Sequence, residues 1–238
     1  MSIFWAIQNS ANRIGKVDLA NPGSLLGERE TAVFSQFKVN KRQSEWLGAR
    51  LAVKDLLFSI DPRLRGFGYH QVEILNEPGG SPVLIIDAIQ GFPGKISLSH
   101  SHDHAFCACS TGDIPLGVDL EWIEPRGMEM VEDFFTPSEI RQVLMLDEPD
   151  RSRLVTLIWS CKEAVLKAHS IGLRVDTRSV EILFPGPDEQ VGGWNVLAFN
   201  SRLAEKSSLR LLWRREGNFI LTVCLPIAQE SQLTRFKY

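Results

Sequence analysis

Two acidic residues stand two positions apart in the segment GVDLE, residues 117–121, whose composition is typical of a β-strand. Side chains at positions i and i+2 of a strand face the same side, so Asp119 and Glu121 present their carboxylates together. Mg²⁺ usually binds one or two carboxylates together with waters and phosphate oxygens. The pair therefore predicts a magnesium site, although the same spacing is also typical of a solvated acidic strand edge.

A third carboxylate lies about forty residues later, in the segment WSCKEAVLK at 159–167. The apolar periodicity around it predicts a helix, on which Glu163 and Lys167 occupy positions i and i+4. Alone, these two residues are typical of an ordinary surface ion pair, and Lys162 of a solubilising charge. Combined with the acidic strand, they predict a site in which carboxylates hold a cation and two lysines contact a phosphate.

Three of the five histidines alternate in the segment SHSHDH, residues 99–104. On one strand His100, His102 and His104 would face the same side, an arrangement that suits a metal ion. A zinc site usually needs further ligands, and His70 and His169 form no completing motif. We expect His100 to contact a phosphate, and we expect no metal shared by His102 and His104.

A second helix is predicted over residues 40–57, where apolar residues recur at helical spacing. Arg50 and Lys54 lie at i and i+4 on this helix. Two like charges on one face repel each other, and a bound phosphate would relieve that repulsion. The alternative is a solvated basic face.

The composition is ordinary for a globular protein, with 44% hydrophobic residues, 23% charged residues and a net charge of −3 over 238 residues. This charge gives no general attraction to nucleic acid or to anionic membranes, so we expect neither as a partner. The N-terminus lacks the features of a secretory signal, and we expect a cytoplasmic protein. The four cysteines contain no CxxC pair, which favours buried, reduced thiols.

The order of predicted elements favours an α+β fold built from two similar α/β halves. The tetrapeptide VEIL occurs at 72–75 and again at 180–183, an offset of 108, and Trp46 and Trp159 are offset by 113. We expect a pseudo-twofold arrangement in which each half packs a helix on an antiparallel sheet, with the active site in the cleft between them. The predicted halves are residues 1–113, and residues 114–238 with the metal and catalytic motifs. The predicted helices are 40–57 and 152–172 (ending near Gly172), and the predicted strands are 70–75, 81–88, 95–100, 104–110, 117–123, 178–184, 209–215 and 218–225.

These motifs resemble, in order, those of the 4′-phosphopantetheinyl transferases of the larger, surfactin-synthetase (Sfp) type. WLGARLAVKDLL, ISLSHSHDHAFCA, GVDLE, FFTPSE and WSCKEAVLKAHSIGL carry the resemblance, which spans roughly residues 40 to 185. Enzymes of this family transfer the phosphopantetheine arm of coenzyme A to a serine of an acyl, peptidyl or aryl carrier protein and release 3′,5′-ADP. The resemblance implies a pseudo-twofold monomer that uses Mg²⁺.

The resemblance also implies a role for each matching residue. Asp119, Glu121 and Glu163 would hold Mg²⁺. Glu163 is also the candidate general base, and Lys167 would stabilise the leaving group. The implied coenzyme A contacts are Arg50, Lys54, Ser99, His100, Lys162 and Lys167.

Two positions depart from the family pattern: Ser81 stands where a lysine is usual, and His102 where a glycine is usual. Either exchange would alter how the phosphates of coenzyme A are held. Two other functions stay open from the residues. The first is a metal-dependent hydrolase that uses the histidine run from His100 to His104, and the second is a non-catalytic module that binds coenzyme A or a carrier.

Overall fold

The computed structural model describes residues 1–15, 22–89, 93–171, 174–184, 192–203 and 208–237. Its contacts divide the chain into two units, Met1–Ile114 with Ser231–Tyr238, and Pro115–Glu230. The first boundary lies one residue from the predicted division after residue 113. The last eight residues, which were predicted to belong to the C-terminal half, lie with the first unit.

Unit 1 is built on a four-stranded sheet with the order β11-β1-β5-β4, in which β11 runs parallel to β1 and the other pairs are antiparallel. Its strands are β1 (Ile3–Asn9), β4 (Ile96–Ser101), β5 (His104–Ser110) and β11 (Leu233–Arg235), with a separate hairpin of β2 (Glu73–Asn76) and β3 (Pro82–Ile85). Its helices are α1 (Ser10–Ile14), α2 (Glu28–Phe34) and α3 (Asn40–Ile60).

The long helix α3 covers one face of this sheet. Ala105, Cys107 and Cys109 alternate along β5 and are buried in one core cluster with Val53 and Leu56 of α3. Small side chains on the strand let the helix approach closely. Cys107, Cys109, Cys161 and Cys224 are buried and none of them forms a disulfide, so the prediction of buried, reduced thiols is confirmed.

Unit 2 is built on an antiparallel five-stranded sheet with the order β6-β10-β9-β8-β7. Its strands are β6 (Gly117–Trp122), β7 (Val180–Leu183), β8 (Asn195–Ser201), β9 (Leu209–Glu216) and β10 (Phe219–Pro226). Its helices are α4 (Met128–Phe134), α5 (Pro137–Leu144) and α6 (Asp150–Ala168). Helix α6 buries Ile158, Cys161 and Val165 in one cluster with Ile220 and Cys224 of β10.

The predicted α+β class is therefore confirmed, and each unit packs a long helix on a sheet; the sheet is antiparallel in unit 2 and mixed in unit 1, where β11 runs parallel to β1. The strand predicted over 70–75 begins only at Glu73, because Tyr69–Gln71 form a 3-10 turn. Gly68 N donates a hydrogen bond to Gln71 Oε1 at 2.8 Å and caps this turn. Strands β1, β8 and β11 and helices α1, α2, α4 and α5 were not predicted. Gly172 and most of the segment 185–193 lie outside the described residues.

The offset of 108 relates equivalent positions of the two units, whereas the offset of 113 between the tryptophans does not. Trp46 packs between Phe34 and Phe37, with ring centroids at 5.9 and 5.8 Å. Trp159 instead donates a hydrogen bond to Glu121. The tryptophan match was thus a wrong part of the predicted repeat.

Candidate active site

The motif GVDLE lies on β6, directly beside the helix that carries Glu163. A Cβ atom at Gly117 would stand 1.9 Å from the carbonyl oxygen of Ala164, so only glycine permits this approach of strand and helix. Ser160 and Thr222 also connect α6 to β10, with their hydroxyl oxygens 2.9 Å apart. The strand and the helix are therefore held at a fixed, short distance.

Asp119 is buried and its carboxylate forms an ion pair with Lys167. Lys167 Nζ lies 2.6 Å from Asp119 Oδ1 and donates a second hydrogen bond to the carbonyl oxygen of Val118 at 3.2 Å. A lysine ammonium has three N–H donors, so the third is available to a ligand. The predicted proximity of Asp119 and Lys167 is thus present in the structure.

Glu121 is held by two residues to which the sequence analysis gave no role. Trp159 Nε1 donates to Glu121 Oε1 at 2.9 Å, and Arg126 Nη2 lies 2.7 Å from Glu121 Oε2. Burial raises the pKa of Glu121, as does the charge of Asp119, while Arg126 opposes the rise. The sequence signal for these contacts was the tryptophan four residues before Glu163 and the arginine five residues after Glu121.

Glu163 lies in an environment that favours its protonated form near neutral pH. Burial is the largest cause and raises its pKa to about 7; the charges of Asp119 and Glu121 act in the same direction, and Lys167 opposes them. Its Oε1 atom is buried and makes no hydrogen bond to the residues that the structure describes. A carboxylate with such a pKa can both accept and release a proton at physiological pH.

These carboxylates fit a divalent cation in their chemistry. They are hard oxygen donors that repel one another, and a cation would relieve this repulsion and satisfy the buried Glu163 oxygen. Within the described ranges, no three His, Cys, Asp or Glu side chains are grouped as a complete metal site. Mg²⁺ does not require one, because it commonly takes one or two carboxylates and completes its shell with water and substrate phosphates.

Lys162 is not placed where a phosphate would reach it. Its side chain is fully buried, and its ammonium group contacts Glu139 at 2.9 Å and the carbonyl oxygens of Thr177 and Val180. Burial lowers the pKa of Lys162, and the charge of Glu139 opposes this. The predicted phosphate contact is corrected here, because each of the three N–H donors has an internal acceptor.

The predicted phosphate contacts of Arg50 and Lys54 are corrected for the same reason. Lys54 Nζ is fully buried and paired with Glu30 Oε2 at 2.6 Å. The guanidinium of Arg50 stacks on Trp46 at 3.5 Å and donates to the carbonyl oxygen of Ile74 at 3.2 Å; burial lowers its pKa to about 9. The two like charges that were expected on an open helix face are thus both inside unit 1.

The histidine run does not lie on one strand. His102 and Asp103 have φ values of 46° and 58°, the pattern of a two-residue type I′ turn, which joins β4 to β5. His100 is therefore on one strand and His104 on the next, and the shared face required by the hydrolase alternative is not present. The positive φ also accounts physically for a glycine being usual at position 102.

Ser99 and His100 are adjacent on β4, so their side chains point to opposite faces of the sheet. His100 is exposed and lines a cavity of about 250 Å³ in unit 1. Glu45, Asp103 and His104 also line this cavity. Of the two residues, His100 is the one that lines this cavity.

Comparison with known proteins shows which family the segment that carries this site is similar to. Residues 115–224 match the family model described as ACPS, the 4′-phosphopantetheinyl transferase superfamily. The chain is 31% identical over 152 residues to the 4′-phosphopantetheinyl transferase HetI of Nostoc sp., covering 61% of this chain and 63% of HetI. It is 27% identical over 82 residues to the 4′-phosphopantetheinyl transferase Sfp of Bacillus subtilis, covering 34% of this chain and 37% of Sfp.

Residues 115–224 are thus similar to the 4′-phosphopantetheinyl transferase superfamily. The matched part spans less than two thirds of HetI and of Sfp. Among solved structures, the holo-[acyl-carrier-protein] synthase of Thermotoga maritima aligns with a TM-score of 0.39 at 22% identity, covering 57% of this chain and 74% of that chain. No helix in the described ranges has both the length and the apolar composition needed to cross a membrane.

Proposed function

We propose that this chain transfers the 4′-phosphopantetheine group of coenzyme A to a serine hydroxyl of a carrier protein and releases 3′,5′-ADP. The observation that carries the proposal is Glu163, a buried carboxylate with a pKa of about 7, electrostatically coupled to Asp119 and Lys167. This constellation suits phosphoryl transfer, which requires charge neutralisation and a proton acceptor rather than a covalent intermediate.

In the proposed reaction Glu163 accepts the proton of the carrier serine as its oxygen forms a bond to the β-phosphorus of coenzyme A. The bond from that phosphorus to the leaving oxygen breaks, and 3′,5′-ADP departs with the bonding electrons. Lys167 donates its third N–H to a phosphate oxygen and offsets the charge that develops there. Asp119, Glu121 and Glu163 are the residues that would hold Mg²⁺, which when bound neutralises and orients the pyrophosphate.

The proposed coenzyme A contacts in unit 1 are reduced to Ser99 and His100. His100 is exposed beside the 250 Å³ cavity, which supports it as the stronger of the two. Arg50, Lys54 and Lys162 are excluded from the proposed site because their cationic groups are buried in internal contacts.

The acceptor class of the proposal is an acyl, peptidyl or aryl carrier protein. A monomeric state, a cytoplasmic location and a site in a cleft between the two halves stay predictions of the sequence analysis. Size-exclusion chromatography with light scattering tests the first of these predictions.

Incubation of one purified apo carrier of each class with the chain, coenzyme A and Mg²⁺ tests the proposal through the intact mass of the carrier. We expect a gain of one phosphopantetheine group on at least one carrier, and none in excess EDTA. Coenzyme A binding without a mass gain on any of the three classes would contradict the proposal and favour a non-catalytic binding module.

A further inference from the structure

A buried lysine–glutamate cluster in unit 2 connects three segments around the active-site helix. Lys162 of α6 contacts Glu139 of α5 at 2.9 Å, and it donates to the carbonyl oxygens of Thr177 and Val180. Glu139 in turn accepts hydrogen bonds from the backbone N–H of Thr136 and of Ile182, both at 2.7 Å. The two side chains therefore link the start of α5, the start of β7 and one turn of α6.

Unit 1 contains a similar cluster at an offset of 108 or 109 residues. Lys54 of α3 contacts Glu30 of α2 at 2.6 Å and donates to the carbonyl oxygen of Tyr69 at 3.0 Å, the position equivalent to Thr177. Its third acceptor differs, because it is the carbonyl oxygen of Leu25 at 2.7 Å and not the residue equivalent to Val180. Glu30 accepts from the N–H of Gly27 at 3.3 Å and of Ile74 at 2.9 Å, as Glu139 does from Thr136 and Ile182. All four charged side chains are fully buried.

The residue that follows each lysine differs between the two units. In unit 2 it is Glu163, whose Oε1 has no hydrogen-bond partner among the described residues. In unit 1 it is Asp55, whose carboxylate is paired with Arg13 at 3.0 and 3.2 Å and accepts from Gln8 at 2.9 Å. The lysine–glutamate cluster therefore also occurs in unit 1, where the carboxylate that follows the lysine is paired with an arginine.

From this duplication we infer that Lys162 and Glu139 are a positioning pair that fixes the turn of α6 carrying Glu163, and that Lys162 makes no contact with coenzyme A. The inference rests on the transferase activity proposed above. Lys162 and Glu163 are adjacent on the helix and point in different directions, so the acceptors that hold one side chain set the direction of the other. Loss of the cluster would move Glu163 relative to Asp119.

Removal of both charges tests this role better than removal of one. K162M alone leaves the Glu139 carboxylate buried without its cation, and we expect a lower melting temperature and a large loss of kcat. In K162M/E139Q the glutamine oxygen keeps the acceptor for Ile182 N–H, and its NH2 group supplies a donor for the freed carbonyl oxygens at the cost of the acceptor for Thr136 N–H. We expect the double variant to recover kcat to within about tenfold of the wild type, with the KM for coenzyme A unchanged.

The matched control is K54M/E30Q, which makes the same exchange in unit 1 and reports its effect on stability away from Glu163. A phosphate contact by Lys162 predicts the opposite result for the unit 2 variant. If K162M/E139Q melts like the control but shows a kcat at least 100-fold lower than the wild type, or a KM for coenzyme A at least tenfold higher, the inference is overturned.

Reductive methylation of the wild-type chain keeps the inference testable if the variants do not fold. Peptide mapping with and without 3′,5′-ADP and Mg²⁺ should show Lys162 unmodified in both samples and Lys167 modified only without the nucleotide. Methylation of Lys162 that the nucleotide suppresses would overturn the inference. This readout needs no turnover, so a failure of the proposed transfer is seen separately in the carrier assay.

Discussion

At the scale of single residues, Glu163 is a group whose ionisation opposes folding at alkaline pH. Its pKa of about 7 in the folded chain exceeds the ordinary value of 4.5, because burial disfavours the charged form. The folded state therefore binds the proton more tightly, and the stability contributed by this group is lost as the pH rises from about 4.5 through 7. Glutamine carries no such charge.

We expect Glu163→Gln to raise the free energy of unfolding by about 1–2 kcal/mol at pH 8 without metal, and by much less at pH 5. Urea unfolding in EDTA at both pH values measures this difference, with the exposed Glu132→Gln on α4 as the control. An equal effect of Glu163→Gln at pH 5 and pH 8 would refute the assigned environment.

His102 offers a second test at this scale, because it holds a left-handed backbone conformation at φ 46°. We expect His102→Gly to raise the free energy of unfolding by about 0.5–1 kcal/mol, since glycine adopts this conformation without steric cost. Thermal unfolding measures the stability, and the carrier assay should show an unchanged transfer rate. A variant that lost transfer would instead place His102 in the catalytic site.

Residue types and spacing predicted the carboxylates of the site better than its cations. Strand alternation paired Asp119 with Glu121, the i, i+4 rule paired Glu163 with Lys167, and the combination of the two motifs placed Asp119 and Lys167 in one site, where they lie in contact. The same rules predicted that Lys162 and Lys54 contact solvent or a ligand. They do not predict that a glutamate of a different helix pairs with each lysine. The signal that existed for unit 2 was the capping pattern Thr136 to Glu139, which places an acid at the start of α5.

At the scale of elements, the contact between β6 and α6 depends on the absence of a side chain at Gly117. A Cβ atom there would meet backbone atoms, namely Ala164 O at 1.9 Å and Ala168 N at 2.5 Å, and backbone atoms do not move aside as a side chain does. We expect Gly117→Ala to lower the free energy of unfolding by about 2–3 kcal/mol and to reduce transfer strongly, since Asp119 would move away from Lys167.

The control for this variant is Gly127→Ala, where no atom lies within 4 Å of the added carbon. It should change the free energy of unfolding by less than about 1 kcal/mol. Chemical denaturation of both variants, followed by the carrier assay on each, provides the comparison. Similar losses in the two variants would argue against a close approach of strand and helix at Gly117.

The long helices and the alternating strands were predictable because their own residues supply the apolar periodicity. Strands β4 and β5 were also predicted, over 95–100 and 104–110, but the type of the turn between them was not, because His102 and Asp103 are not the residues that most favour a type I′ turn. Strand β11 was also missed, since three residues with an exposed pattern give no alternation to detect. Its position depends on pairing with β1, which lies more than 220 residues earlier in the chain.

At the scale of the whole molecule, the chain returns at its C-terminal end to the first unit. Phe236 N donates to the carbonyl oxygen of Trp5 at 2.7 Å, and the guanidinium of Arg235 lies 4.8 Å from the Trp5 ring. We expect deletion of residues 231–238 to lower the free energy of unfolding by about 2–4 kcal/mol, because it removes an edge strand of unit 1 and several backbone hydrogen bonds. Lys237→Ala is the control and should have little effect.

Urea denaturation monitored by tryptophan fluorescence measures this loss. An unchanged midpoint and slope for the shortened chain would mean that β11 does not stabilise unit 1.

The repeat was predictable at this scale from the tetrapeptide VEIL alone. Its first copy covers Val72 and the first three residues of β2, and its second copy is β7. That the last eight residues belong to unit 1 was not predictable, since sequence order gives no indication that a chain end returns to an earlier unit.

The central claim is that the carboxylates on β6 and α6 carry out metal-dependent transfer from coenzyme A. The most direct test is the initial rate of carrier modification, followed by intact mass, for the wild type, Glu163→Gln and Glu132→Gln over a titration of Mg²⁺. We predict a Mg²⁺-dependent rate for the wild type and Glu132→Gln, and a rate lower by at least about 100-fold for a folded Glu163→Gln. A folded Glu163→Gln that modified the carrier at the wild-type rate would contradict the claim.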